Sequence, residues 1–209
     1  MAAEHDRAWR LWKRSSDVLV GVVGLVLAAP LLVLLIVLIR VDSAGPAIFR
    51  QVRIGRGGRP FVLYKLRGMH VDARERFPDL YDYSGRDDLD FYFHERDDPR
   101  VTRVGRLLRR TSLDELPNLW NVVRGDMSIV GPRPEIPEVL AIYGDLADAY
   151  VSVKPGMTCF AGAGGRDEQT KAQRVAEDLR YVGVTSPWVD VRLILVTVAS
   201  VFRRRNVRT

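Results

Sequence analysis

Residues 18–39 are apolar without interruption: twenty-two positions carry no charged or strongly polar side chain, with Lys13 and Arg14 before them and Arg40 after. A straight helix of that length reaches about 33 Å, enough to cross a bilayer core. A buried helix of a soluble protein rarely stays apolar all round for so long. A cleaved signal peptide fits poorly, because the run is too long and no small-residue cleavage site precedes a polar start. Pro30 removes a backbone donor near the middle and crowds the carbonyl four residues back, which predicts a kink. Basic residues at both ends give no inside–outside asymmetry, so the pattern leaves open whether the segment spans.

The pattern then changes period. Residues 46–67 alternate loosely and turn at Gly57-Gly58, which predicts a β-hairpin against the membrane-proximal face. Lys65 and Arg67, two apart, share one face of its second strand; solvated edge charges are the alternative reading. Residues 74–98 are polar, acidic and aromatic without a dominant period, and read as a surface excursion, a lid or a partner contact. Val101, Val104, Leu107 and Leu108 recur at helical spacing with Arg103, Arg106, Arg109 and Arg110 on the remaining positions. Ser112-x-x-Glu115 matches a capping box, but Pro117 would then fall inside the second turn, so the next helix is placed nearer Leu116-Pro117. Leu116, Leu119, Trp120 and Val123 are assigned to the core. Near the end, Ser186-Pro187 reads as a cap followed by proline at the first helical position. Trp188, Val191, Leu195, Val198 and Phe202 follow at helical spacing, and Arg203, Arg204 and Arg205 close the segment. Asp190 and Arg192 argue against a span there; the helix is either core or interfacial, and the basic tail favours the interface.

Composition narrows the classes. Two hundred and nine residues suffice for one domain with a membrane element, and 32 Lys+Arg against 26 Asp+Glu leave a net charge of +6. That balance favours anionic lipids, nucleotides or nucleic acid. Nucleic acid is the weakest of these, because the basic residues are spread among acids and an apolar anchor is present. The single cysteine, Cys159, excludes an intramolecular disulfide and fits a reducing compartment. His5, His70 and His94 are scattered and read as surface or packing residues. Trp9 and Trp12 beside Arg10, Lys13 and Arg14 suit a lipid headgroup layer.

The densest candidate chemistry lies in residues 98–135. Clustered arginines lead to an adjacent acidic pair, Asp114-Glu115, and Arg133 follows nineteen residues after Asp114, held between Pro132 and Pro134. Carboxylates beside arginines suit a site that gathers an anionic, phosphorylated substrate and attacks it or loads it on a metal. Surface ion pairs are the alternative. A helix start at the pair, with Arg109 and Arg110 nearby, would keep Asp114 ionised, as a nucleophile requires.

The run SLDELPNLWNVVRGDMSIVGPRPE, residues 112–135, resembles the signature of bacterial sugar transferases, the monotopic phosphoglycosyltransferases that load phospho-sugars onto polyprenol phosphate. The resemblance also covers Lys13-Arg14-Ser15-Ser16-Asp17, Phe49-Arg50-Gln51, Tyr64-Lys65-Leu66-Arg67, Lys154-Pro155-Gly156-Met157-Thr158 and the last helix. It implies a mostly helical, membrane-associated α/β domain with a short antiparallel hairpin. The N-terminal membrane helix would be re-entrant, broken at Ala29-Pro30. The implied division is 1–40 for that helix and its approach, 41–185 for a cytoplasmic catalytic domain, and 186–209 for an interfacial helix and basic tail. The implied activity is transfer of a hexose-1-phosphate from a UDP-sugar to undecaprenyl phosphate at the cytoplasmic face of the bacterial inner membrane. Such a step opens exopolysaccharide, capsule, O-antigen or glycoprotein assembly. By resemblance Asp114 is the covalent nucleophile and Glu115 holds Mg²⁺, with Lys65, Arg67, Arg109, Arg133 and Arg166 around the phosphates. Membrane lipids are implied partners, nucleic acid is not, and a homodimer stays open. Two departures stand out: Ala29 replaces the serine that commonly precedes this proline, and residues 159–166 read CFAGAGGR, which leaves the sugar open.

Overall fold

The first helix, α1 (Ala2–Asp42), takes in the whole apolar run. It is long and apolar enough to cross a membrane by length and composition. The computed structural model describes the backbone of residues 2–81, 89, 98–163 and 169–202, and side chains within 8–81, 89, 98–161 and 169–199. The helix is continuous through Ala29 and Pro30, so the expected break does not interrupt it. With alanine before the proline there is no hydroxyl to compete for backbone carbonyls.

One stripe of α1 packs on the rest of the molecule and the opposite stripe is bare. Leu25 joins a core formed by Leu63, Leu119, Val122, Met127, Ile129, Val130, Tyr181 and Leu193. Leu32, Leu35, Ile36 and Ile39 join a second core with Ala47, Leu66 and Leu108. Leu19, Leu27 and Val33 are 65%, 76% and 64% exposed. Such an apolar exterior has no comfortable place in water.

Both ends of α1 are pinned to the same body. Lys13 Nζ donates to Val130 O at 3.0 Å, and Arg14 donates to Val122 O and Val123 O at 2.7 Å each. Asp17, buried, accepts from Ser128 Oγ and Ile129 N, both at 2.9 Å. At the other end Asp42 Oδ2 accepts from Val104 N at 3.1 Å. Lys13 and Arg14 therefore serve the fold and not the headgroup layer, because helix-end carbonyls and a buried strand offer them better-ordered acceptors.

The predicted hairpin is present: β1 (Ile48–Ile54) pairs antiparallel with β2 (Pro60–Leu66), Phe49 opposite Lys65. Gly57 and Gly58 carry φ of 66° and 75° in its turn, where a side chain would be strained. A short α2 (Ala73–Arg76) and a 3₁₀ turn (Pro78–Tyr81) follow; residues 82–88 and 90–97 of the anticipated excursion lie outside the described residues. Then come α3 (Arg103–Thr111), α4 (Asn118–Arg124), β3 (Ser128–Val130), α5 (Pro137–Ala141), α6 (Leu146–Tyr150), β4 (Gly156–Thr158) and α7 (Phe160–Ala163). Helices α8 (Lys171–Gly183) and α9 (Pro187–Phe202) complete the order. The parallel pairing of β3 with β4 was not predicted. It closes because Gly131 and Gly156 meet back to back: a Cβ on Gly156 would lie 2.0 Å from Gly131 N.

One further expectation changes. Trp120, assigned to the core, is 49% exposed, while Asn118 and Asn121 of the same helix are buried. Helix α9 proves to be core on one face, with Leu193 buried and Asp190 paired to Lys13, while Trp188 and Leu195 are exposed. Arg203, Arg204 and Arg205 lie outside the described residues.

Candidate active site

Helix α3 starts at Thr102, whose Oγ1 accepts from Gly105 N at 2.9 Å. It stops at Ser112, the one non-glycine with positive φ (56°) among the described residues. That left-handed step turns the chain into a 3₁₀ turn, Leu113–Glu115, and Pro117 then opens α4. Ser112 makes no side-chain cap, so the start near Leu116-Pro117 holds and the capping box does not form. The acidic pair thus sits on a tight turn between two helices.

The turn faces the end of β2. Lys65 Nζ lies 3.2 Å from Glu115 Oε1 and 3.9 Å from Asp114 Oδ2. Arg133 Nη1 lies 3.2 Å from the same Glu115 Oε1. One carboxylate oxygen therefore receives two cations. Burial lowers the pKa of Lys65, and the pull of Glu115 only partly offsets it. For Arg133 burial acts the same way but is outweighed, first by Glu115, so its charge is held more firmly than usual. Asn121 keeps α4 in register with β2: Nδ2 donates to Val62 O at 2.7 Å and Oδ1 accepts from Tyr64 N at 3.2 Å.

Arg133 is fixed by more than its two prolines. Its N–H donates to Asp178 Oδ2 at 2.9 Å, and Tyr150 Oη lies 2.9 Å from both Arg133 O and that carboxylate oxygen. Gly156 N donates to Pro132 O at 2.7 Å, and Gly131 N to Thr158 O at 3.0 Å. Arg53, on the same hairpin face as Lys65, donates to Pro134 O at 3.0 Å. Asp178 and Tyr150 were missed in the sequence. An acid in helical register with Val175 and Tyr181, on the apolar stripe of α8, is the signal that marks Asp178. Burial raises its pKa.

Of the seven residues assigned to catalysis or phosphate binding, four converge: Lys65, Asp114, Glu115 and Arg133. Arg67 does not join them. Its guanidinium donates to Ser43 O at 2.6 Å, Ser43 Oγ at 3.0 Å and Ala44 O, closing the C-terminal end of α1. The strand ladder sets the side of the sheet but not the reach, and orphan helix carbonyls compete successfully for a guanidinium. Arg109 Nη1 lies 3.5 Å from Asp98 Oδ2, a carboxylate already held by Arg100 through two contacts of 2.8 Å. Arg166 lies outside the described residues.

A turn-borne carboxylate pair, two cations and partial access to solvent suit phosphoryl chemistry. The model of the bacterial sugar transferase family matches residues 8–204. The chain belongs to that family. It is 40% identical to an undecaprenyl-phosphate galactose phosphotransferase of Salmonella typhimurium over 95% of this chain and 42% of that protein. A UDP-glucose:undecaprenyl-phosphate glucose-1-phosphate transferase of Caulobacter vibrioides is 41% identical, over 94% of this chain and 72% of the relative. The exopolysaccharide production protein ExoY of Rhizobium meliloti is 37% identical, over 93% and 87%. This sugar transferase chain thus spans about two fifths of the Salmonella protein's length. Family and apolar helix together point to membrane association.

Magnesium suits the donor set of this site only in part. Among the described residues no group of three or more His, Cys, Asp or Glu side chains could hold a metal. Two adjacent carboxylates are what a Mg²⁺ ion uses when substrate phosphates and water supply its other ligands. Asp114 and Glu115 fit that role, with Glu115 more enclosed: its side chain is 6% exposed against 18% for Asp114.

Proposed function

We propose that this chain transfers a hexose-1-phosphate from a UDP-sugar to undecaprenyl phosphate at the cytoplasmic face of the inner membrane, through an aspartyl-phosphosugar intermediate. The observation that carries the reading is the meeting of Asp114-Glu115 with Lys65 and Arg133 on a turn beside an apolar helix. The activities for which the relatives are named support the substrate classes.

An Asp114 carboxylate oxygen attacks the phosphorus nearer the sugar, forming an O–P bond as the bond to the uridine monophosphate oxygen breaks. UMP leaves with that electron pair. A phosphate oxygen of undecaprenyl phosphate then attacks the same phosphorus, the Asp114–phosphorus bond breaks, and the carboxylate returns as the lipid diphosphate sugar departs. Lys65 and Arg133 turn from Glu115 toward the equatorial phosphate oxygens, where charge builds in each step. Glu115 would hold Mg²⁺, which when bound neutralises diphosphate charge and orients the leaving group.

A re-entrant topology fits this division of labour, since a soluble donor and an insoluble acceptor must meet at one surface. It is supported by the attachment of both ends of α1, through Lys13, Arg14 and Asp17 and through Asp42, to one body. Single cysteines near positions 8 and 45, in a Cys159→Ser background, should be labelled from the same side of sealed vesicles; labelling from opposite sides would establish a span.

Purified protein with undecaprenyl phosphate and Mg²⁺ should release UMP from UDP-galactose or UDP-glucose, whose sugars appear in the names of the relatives, and yield the lipid-linked product. Chelation should stop release and added Mg²⁺ restore it. No release across a panel of UDP-hexoses would overturn the reading.

A further inference from the structure

Trp120 belongs to α4, the helix that follows the acidic turn, yet it is left out of the core its helix builds. Leu119 and Val122 are buried, and Asn121 is tied to β2. Leu119 and Val123 press on Gly21 and Gly24 of α1, where a Cβ would come within 3.1 Å of Leu119 Cδ1 and 2.9 Å of Val123 Cγ2. Trp120, the next residue along, is 49% exposed. The bare face of α1 at that level carries Val23 and Leu27, 48% and 76% exposed. Trp12 on α1 and Trp188 on α9, at 42% and 80%, are bare as well.

Three indoles from three elements are thus exposed around one apolar helix. An indole combines a broad apolar body with one N–H donor, and that pairing favours the boundary between headgroups and acyl chains over either bulk phase. Arg124, half-exposed on α4 and 3.5 Å from Asp126, brings a cation to the flank of Trp120.

We propose that Trp120 seats in the headgroup–acyl boundary of the bilayer and, as a positioning residue, sets the height of the Asp114-Glu115 turn above the lipid phosphates. It stands five residues after Glu115, on the helix that Pro117 opens directly after the Leu113–Glu115 turn, so a change in its seating is passed to the turn. The occupant is lipid because the ring is exposed on a helix that packs through Leu119 and Val123 against α1, the helix long and apolar enough to cross a membrane. The inference rests on the membrane-acceptor reading above, but its first test does not require turnover.

The full chain is placed in vesicles of phosphatidylcholine and phosphatidylglycerol brominated either near the headgroup or near the chain end. Tryptophan emission is compared between native protein and Trp120→Phe. The difference signal should be quenched by lipids brominated near the headgroup and shielded from aqueous iodide. Quenching by iodide alone would overturn the proposal. So would a difference signal that ignores both quenchers while cross-linking shows a second copy over α4. In turnover, Trp120→Ala should raise KM for undecaprenyl phosphate roughly three- to tenfold, leaving KM for the UDP-sugar and kcat near native. Trp120→Tyr should restore most of the loss. Equal changes in both KM values with a lowered Tm would assign Trp120 a merely structural role. A chain that shows the quenching pattern but transfers no sugar would refute the reading of function and leave the anchor standing.

Discussion

Two clusters of acid and base meet near Arg133, built from the same side-chain types and put to different uses. In front, Glu115 faces Lys65 and Arg133, whose side chains are 17% and 35% exposed. Behind, Glu135 faces Lys171, at 4% and 3%. Burial lowers the pKa of both lysines and a glutamate partner pulls each back, so charge type does not separate them. Access does. A cation at the front can exchange a carboxylate oxygen for a phosphate oxygen without leaving a bare charge in the interior. Any such exchange at the back would strand a desolvated ion. The front is suited to chemistry and the back to holding the Gly131–Pro134 turn in place.

The largest effect belongs to the front. Asp114→Asn keeps the volume and removes the proposed nucleophile, so turnover should fall by about a thousandfold or more with Tm unchanged. Mass spectrometry of quenched native enzyme should find a phosphosugar on the peptide carrying Asp114. Near-normal turnover in the variant would end the division between the clusters, because the front would then be merely another set of ion pairs.

Single substitutions at the back should act on stability instead. Glu135→Gln or Lys171→Met strands a buried partner and should cost about 3–5 kcal/mol, read from denaturant midpoints. The double Glu135→Leu/Lys171→Met variant should recover most of that, and the rate per folded molecule should stay within a few-fold of native. A rate loss in the double variant without a stability loss would blur the comparison.

Legibility followed the range of the interactions. The hairpin turn at Gly57-Gly58, the start of α4 at Pro117 and the Ser186 cap, whose Oγ accepts from Val189 N at 3.3 Å, are set by a few neighbouring residues and were readable. The pairing of β3 with β4 was not, because three-residue strands leave no alternation to detect. At the site, local pattern singled out Asp114, Glu115 and Arg133, and resemblance added Lys65 and Arg67. Neither could separate Lys65 from Arg67, since the difference lies in which distant carbonyls come within reach. Asp178 and Tyr150 act from 45 and 17 residues away. Trp120 was misassigned because an apolar helical position reads the same whether the fold covers it or leaves it exposed.

Arg133→Lys separates the two regions at one residue. The backbone of Arg133 is held from behind by Asp178 and Tyr150, whereas its guanidinium works in front. Lysine keeps the charge but loses the planar fork that can grip two phosphate oxygens. Catalytic efficiency should drop roughly ten- to a hundredfold, or about 1.4–2.7 kcal/mol of transition-state stabilisation, with Tm unmoved. A lowered Tm with unchanged rate per folded molecule would move the side chain into the structural cluster.

The smallest effect is a matter of sign. Burial sets the Lys65 pKa below its ordinary 10.5, with Glu115 opposing and Arg133 adding to the fall. If the charged ammonium is what assists the phosphates, the rate must decline as pH rises through that lowered value, before an ordinary lysine titrates. Stability runs the other way. In the same window the unfolded chain still holds the proton that the folded chain has released, so this group's contribution to folding grows with pH. A falling rate beside a relatively rising stability distinguishes Lys65 from alkaline unfolding, in which both fall. Lys65→Arg places a cation there that does not titrate in the accessible range, so the alkaline limb should move upward, with only a few-fold loss near neutrality. A limb that stays where it was would give the titration to another group and leave Lys65 as a spectator to Glu115.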